Sequence, residues 1–340
     1  MTTQLDSSIG LKKETTYGTG VTPDHFPEFL SESLEAKLDI KQGQGFRVGS
    51  RVGRVERRVL GKQWAEGDIE IEMAARGCGI FLEALLGASV STALTAPAYQ
   101  QNFTLATSDP LNSYTIQKGI PLLGGGAAQA HTFWGAVCTK GELSSSQGDV
   151  VKLKTSWNAK QVDTATAYAA PSYVASNEVF FFSEGAITIG GTPTAPTATA
   201  LASGGTSVGD VVDFSLSIDS KLDTNGFTYG GGGRQSRRPV VGGMADIKGK
   251  MTVEFDSTTM RDAYLNQTSL AVVLTFTSAT SIATGIFNTL QVYIPAIRTN
   301  GDLPNATNGV VKQSIDFDVL DNGSGASPVT VCLRTLDTAV

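Results

Sequence analysis

Twice along the chain, polar and apolar residues alternate one by one, pass into a basic, glycine-dotted loop, alternate again and then change to helical spacing. In the first run Leu34, Ala36, Leu38 and Ile40 alternate with Glu35, Lys37 and Asp39. The loop spans residues 41–62; Ile69, Ile71 and Met73 then alternate with Asp68, Glu70 and Glu72, and Ile80, Leu82 and Leu85 fall at helical spacing within residues 75–86. Period-two alternation places apolar side chains on one face of a strand and polar ones on the other, so each run predicts a strand half-buried against a core. In the second occurrence Phe214, Leu216 and Ile218 alternate with Asp213, Ser215, Ser217 and Asp219, and a loop over residues 221–243 carries GGGGRQSRR. Met251, Val253 and Phe255 then alternate with Lys250, Thr252 and Glu254, and residues 258–266 read as a helix. An ungapped shift of 180 residues superimposes the two, setting Leu34 on Phe214, Asp39 on Asp219, Arg57-Arg58 on Arg237-Arg238 and Leu85 on Leu265. Recurrence of this kind predicts two tandem copies of one β-rich unit.

Composition agrees with a β class. Glycine accounts for 38 of 340 residues and charged residues for 17 %, against roughly 25 % charged in an average soluble domain. Thr, Ser, Ala and Gly fill the difference, as short strands joined by turns require. Further strands are predicted at 99–105, 113–119, 133–143 and 150–157. Residues 190–210, with GGTPTAPTATALASGG, are too small and polar to form a core and read as a flexible loop or linker. The apolar run 177–190 before it reads as the opening of the second copy. The boundary then falls near residue 172, giving domains 1–172 and 173–340.

Several chemistries have no residues to carry them. A net charge of −6 disfavours a protein that grips nucleic-acid phosphates, because such grip requires an excess of cations. Cys78, Cys138 and Cys332 are far apart and form no CxxC pair, so they read as buried thiols of a reducing cytoplasm. With only His25 and His131 there is no HExxH; Walker A and GxGxxG signatures are absent too. No catalytic residue, metal ligand or cofactor is expected, and the chain reads as a structural protein. The polar N-terminus lacks the order of a signal peptide, and no apolar run is long enough to span a bilayer. Asp68, Glu70 and Glu72 share a strand face and could form a carboxylate site. The shift places Lys248, Lys250 and Thr252 there, which favours a solvated face. The arginines of the two loops suit contact with a protein surface better than nucleic acid, since aromatic residues for base stacking are scarce around them.

Three stretches resemble the tail tube proteins of long-tailed bacteriophages. They are IGLKKETTYGT at 9–19 with FPEFLSESLEAKLDI at 26–40, RVERRVLGKQWAEGDIEIEMAARGCGIFLEALLG at 54–87, and FFFSEGAITIGG at 180–191 with VVDFSLSIDSKLDTNGF at 211–227. The resemblance implies small β-sandwich domains, each flanked by a short helix, that form rings lined by a closed β-barrel. Stacked rings make a hollow cylinder through which DNA leaves the capsid. A duplicated chain would fill a pseudo-hexameric ring as a trimer. The expected partners are further copies of the chain, a tape measure protein, a tail terminator and a distal tail protein, with DNA passing unbound and no membrane contact. The expected place is the virion, after synthesis in the host cytoplasm. The polar strand faces, Glu35, Lys37, Asp39, Asp68, Glu70, Glu72, Asp213, Ser215, Ser217, Asp219, Lys248, Lys250, Ser314, Asp316 and Asp318, would then line a largely acidic lumen. Arg47, Arg51, Arg54, Arg57, Arg58, Arg234, Arg237 and Arg238 would contact the adjacent ring. A secreted β-sandwich adhesin or carbohydrate-binding protein, or another virion component such as a decoration or baseplate protein, are the rival readings.

Overall fold

The computed structural model describes residues 4–109, 111–123, 126–175, 177–206, 211–229, 235–254, 258–300 and 311–340. The N-terminal half contains β1 (Ser8–Lys13), β2 (Phe29–Glu32), β3 (Glu35–Gln42), β4 (Arg58–Glu72), α1 (Gly79–Leu86), β5 (Gly87–Ala93), β6 (Tyr99–Leu105), β7 (Tyr114–Pro121), β8 (Ala128–Ser146), β9 (Lys152–Ala159) and β10 (Gln161–Asp163). The C-terminal half contains β11 (Gly185–Ile189), β12 (Val211–Asp219), β13 (Leu222–Asp223), β14 (Val240–Val241), β15 (Asp246–Glu254), α2 (Thr259–Asn266), β16 (Leu270–Ala283), β17 (Ile286–Thr299), β18 (Lys312–Val319) and β19 (Thr330–Thr335). The chain is mainly β, with two α-helices among the described residues.

The strands form an inner and an outer layer. The inner layer runs β3–β4–β9–β8–β12–β15–β18 and ends on the last residues of β17. Its midline is the pairing of β8 with β12, where Lys140–Ser146 lie antiparallel to Asp213–Asp219, so residues far apart in sequence build one uninterrupted ladder. The outer layer has two parts: β1–β7–β8–β10, and β5–β6–β19–β17–β16–β11. The 19-residue strand β8 serves both layers, its first part pairing with β7 and β10 and its last part with β9 and β12; a register irregularity at Cys138/Lys140 marks the crossing. Sequence patterning predicts only 133–143 as strand here, because a strand that changes layers changes which side is buried.

Pairings recur between the halves. β1–β7–β8–β10 matches β11–β16–β17–β19, and β4–β9–β8 matches β15–β18–β17. α1 and α2 are eight residues each and start 180 residues apart, at Gly79 and Thr259. The hairpin β5–β6 has no partner of this kind among the described residues of the second half; it pairs instead with β19 and extends the C-terminal outer sheet.

One apolar cluster joins the halves, with Ile9, Leu11, Ile69, Ile71, Leu153 and Trp157 from the first and Phe214, Met251, Phe276, Leu290, Ile315 and Phe317 from the second. Every residue of α1 is buried, which a helix inside a sandwich requires. Its one carboxylate, Glu83, is satisfied by Lys13 Nζ at 2.9 Å, Ser89 Oγ at 2.8 Å and the Tyr114 hydroxyl at 3.0 Å, as a buried charge must be. Gly87 ends the helix at φ 88°, a left-handed conformation that glycine adopts without strain.

Two expectations are corrected. Leu38 and Ile40 do not enter the core; they are 53 % and 44 % exposed. The reason is geometric: β9 stops at Ala159 opposite Ala65, whereas β3 and β4 continue as a two-stranded arm through Ile40–Leu60 and Gln42–Arg58. The segment near 190–210, expected as a flexible loop, is tied down where it is described. Thr194 and Ser203 bridge, Thr197 O accepts from Gln100 Nε2 at 2.8 Å and Asn102 Nδ2 at 2.7 Å, and Gln291 exchanges two hydrogen bonds with the Ala202 backbone. Short polar side chains on β6 and β17 supply these anchors, which composition of the segment alone does not reveal.

Candidate functional site

The inner sheet has one buried and one polar face, and the polar face is the candidate site. Because antiparallel partners point the same way, cross-strand rows can be read from the register. One row runs Glu70, Lys154, Glu142, Ser217, Lys248, Asp318; the next runs Glu72, Lys152, Ser144, Ser215, Lys250, Asp316; a third runs Asp68, Ser156, Lys140, Asp219, Asp246. Between the charges, Ile69, Ile71, Leu153, Leu143, Leu216, Ile218, Met251, Ile315 and Phe317 turn into the core.

Most of the residues expected on a polar face are therefore gathered on one surface. Asp68, Glu70, Glu72, Asp213, Ser215, Ser217, Asp219, Lys248, Lys250, Ser314, Asp316 and Asp318 lie on the six strands from β4 to β18. Glu35 and Lys37 flank it on β3, with Lys37 Nζ 3.7 Å from Glu66 Oε1, and Asp39 sits further out, pairing with Lys41 at 2.9 Å. Sequence reasoning missed the middle: Lys140, Glu142, Ser144, Lys152, Lys154 and Ser156 on β8 and β9 complete the rows. The alternation Lys152-Leu153-Lys154 was the available signal. With these lysines in place, the face has acids and bases side by side rather than a uniform acidic field.

Local pairs set its electrostatics. Burial alone would raise the Asp68 carboxyl, but hydrogen bonds from Ser156 Oγ at 2.7 Å and Lys154 Nζ at 3.1 Å, with Lys140 nearby, hold it below its ordinary value. Asp219 is likewise opposed by burial yet lowered by Lys221 at 2.6 Å, the Lys221 N–H and Lys140. Lowered carboxylates contribute stability that is in full above the ordinary Asp value of 3.8 and is lost as the pH falls from there through the lower folded-state values. Both feel Lys140 at the β8–β12 midline. The loss of unfolding free energy between pH 5 and pH 2.5, measured by urea titration, is expected to be smaller in Lys140→Met than in the unaltered chain, by no more than about 1 kcal/mol because the pairs are part-exposed; an identical pH profile would remove Lys140 from this role.

The basic residues separate into two groups. Arg47, Arg51, Arg57 and Arg58 are exposed and Arg54 half-exposed on the β3–β4 arm and its tip. Arg237 pairs with Asp223 at 3.0 Å, and Arg238 donates through Nη2 to Leu111 O and lies 5.8 Å over the Tyr17 ring, so these two serve contacts within the chain. Arg234 lies outside the described residues. Residues 222–229 fold back on the arm's base: Phe227 meets Trp64 edge-on at 6.3 Å and receives Lys62 Nζ at 4.6 Å.

The three cysteines are free and buried, and burial pushes the Cys78 thiol to about 11 and those of Cys138 and Cys332 to about 12, which disfavours the reactive thiolate. His25 Nδ1 hydrogen bonds the side chain of its neighbour Asp24 at 2.6 Å. Among the described residues no group of three or more His, Cys, Asp or Glu is placed to hold a metal ion, and no helix is long and apolar enough to cross a membrane. What the arrangement offers is a broad, charged sheet face and two strand edges. A search among curated proteins finds no match. The sequence model of the phage tail tube proteins matches residues 4–319, nearly the whole length. The chain belongs to the phage tail tube protein family.

Proposed function

We propose that the chain is the structural subunit of a long-tailed phage tail tube, carrying two tandem tube domains at 1–172 and 173–340, with three chains closing each ring. The observation that carries this reading is the midline of the inner sheet. There β8 of one half is continued by β12 of the other through seven residue pairs, while the sheet does not close within the chain. Its free margins are β3 on one side and the end of β17 on the other. By the recurring pairings β17 corresponds to β8, and the β2–β3 region corresponds to β12. A second copy could thus continue the sheet as the halves continue one another, and a closed ring removes the exposed edges that otherwise promote aggregation.

In this arrangement the rows of Glu70 and Glu72 face the bore, and the stacked rings form a hollow cylinder that conducts DNA from capsid to host. The lining is polar and richer in acids than bases, so phosphates find no run of uncompensated cations to hold them. The reading assigns no catalysis and no cofactor. It places the protein in the virion after synthesis in the bacterial cytoplasm, beside a tape measure protein, a tail terminator and a distal tail protein. Electron microscopy of purified protein at high concentration tests it: hollow rings of three chains with six peripheral lobes, and tubes built from them, are expected. A monodisperse monomer under all assembly conditions would overturn the proposal.

A further inference from the structure

The arm ends in an apolar tip. Phe46 and Val48 are fully exposed, and Val52 and Val55 are each 80 % exposed, an arrangement that costs hydration free energy unless something covers it. From Ala65, where β9 stops, to Arg58 at the outer end of β4 is seven residues, about 23 Å of extended chain. The tip therefore stands clear of its own core.

The opposite end of the molecule carries an apolar cleft. It has a volume of about 190 Å³ and is lined by Phe182, Ile187, Val211, Phe214, Leu274 and Phe276, together with Ser145, Ser183 and Asp213. Strand direction fixes the opposition. The arm leaves the inner sheet where β9 and β12 finish, at Ala159 and Asp219. The cleft lies where β12 begins, at Val211, and where β8 finishes, at Ser145. A cavity of roughly 150 Å³ with such walls holds a benzene ring, so this one has room for a phenyl group. Charge agrees as well: Arg47 and Arg51 flank the tip, while the exposed Asp213 lines the cleft.

We propose that the occupant of the cleft is a second copy of this chain, whose Phe46 enters it from the arm while the flanking arginines meet Asp213. A tip at one end and its receptor at the other make a heterologous contact. Such a contact repeats without closing on itself and adds chains along an axis. The inference rests on the tube reading, in which that axis is the tube axis, and it identifies the side chain and the receptor that join successive rings. In the C-terminal half Phe227, on the segment that corresponds to the arm, lies against Trp64.

Two experiments test it. Phe46→Ser removes an exposed ring, so the melting temperature stays as in the unaltered chain, whereas the yield of sedimentable tubes falls by roughly tenfold or more and short stacks or single rings accumulate. In the second, Phe46→Cys is combined with Ser183→Cys; the native cysteines are buried and leave little background. Oxidation of assembled tubes is expected to give a ladder of covalent oligomers extending well beyond one ring, and each single-cysteine variant to give none. If the unaltered chain forms tubes and Phe46→Ser forms them with equal yield and length, the tip and cleft are not the joint, and the tube reading stands without it. Crosslinks that stop at the size of one ring place the contact around the ring and overturn the axial assignment. If the unaltered chain forms neither rings nor tubes, the tube reading itself fails.

Discussion

Gly249→Val is expected to lower the melting temperature by roughly 5 °C or more, through about 3 kcal/mol of overpacking. Gly249 lies on the core side of β15, opposite Leu216 on β12 and Phe317 on β18. A Cβ built there would sit 2.1 Å from Phe317 Cζ and less than 3 Å from two further ring atoms. The ring cannot retreat: Phe317 is 1 % exposed and packs against Phe214 with centroids 6.0 Å apart. Glycine in a strand interior weakens the strand, so its presence calls for a packing reason. The first half supplies the comparison. At the corresponding pair Ile69 stands opposite Thr155, a large residue on β4 beside a small one on β9, whereas Gly249 and Phe317 distribute the same space the other way. Combining Gly249→Ile with Phe317→Thr should therefore recover most of what Gly249→Val loses. Differential scanning calorimetry of the three proteins decides the matter, and a double variant no more stable than Gly249→Val would show that the clash is not the cause.

The same pair shows why much of the fold was legible and some of it was not. Alternation exposed the strands at Ile69–Ile71 and Phe214–Ile218 because in an antiparallel sheet with one wet face each residue reports its side. As far as the helices the spacing between the two halves is 180 residues, since α1 and α2 start at Gly79 and Thr259. Beyond them it fails. Ser156 opposite Asp68 answers to Asp318 opposite Lys248, a shift of 162, because the β5–β6 hairpin intervenes in the first half alone. An ungapped comparison cannot pass such an insertion. It also cannot see that the hairpin joins β19 of the other half, since pairing between distant strands leaves no local pattern.

The arm was misread for a related reason. Leu38 and Ile40 continue the alternation that Leu34 begins, yet only Leu34 has a second layer behind it. Periodicity reports which residues share a side and says nothing about whether that side is covered by the rest of the chain. On the charged face, the acidic rows were read from β4, β12 and β18, but the intervening lysines of β8 and β9 belong to strands recognised without their faces. The balance of charge on the surface depends on those neighbours, and a register is needed to place them.

That balance leads to the largest effect expected from the proposed function. Tubes assembled from Glu70→Lys/Glu72→Lys protein should bind double-stranded DNA in a salt-dependent way, whereas unaltered tubes should not. Glu70 faces Lys154 and Glu72 faces Lys152 in the register. Reversing both acids replaces two alternating pairs by four adjacent cations on the polar face, and the pattern repeats in every chain around the bore. Asp68 is left in place because it anchors Ser156 at 2.7 Å and Lys154 at 3.1 Å, which keeps assembly and electrostatics separable. Like charges across a strand pair cost up to about 1 kcal/mol each, a loss the urea midpoint will register without abolishing the fold. Each phosphate neutralised adds about −0.9 to the slope of log K against log salt, so six contacts would change affinity by roughly a thousandfold between 50 and 200 mM. Labelled DNA admitted to open tubes, followed by sedimentation across that range, measures the slope. A slope near zero for the variant would mean that this face does not line the bore. Equally strong binding by unaltered tubes would mean that its alternating charges do not spare the DNA.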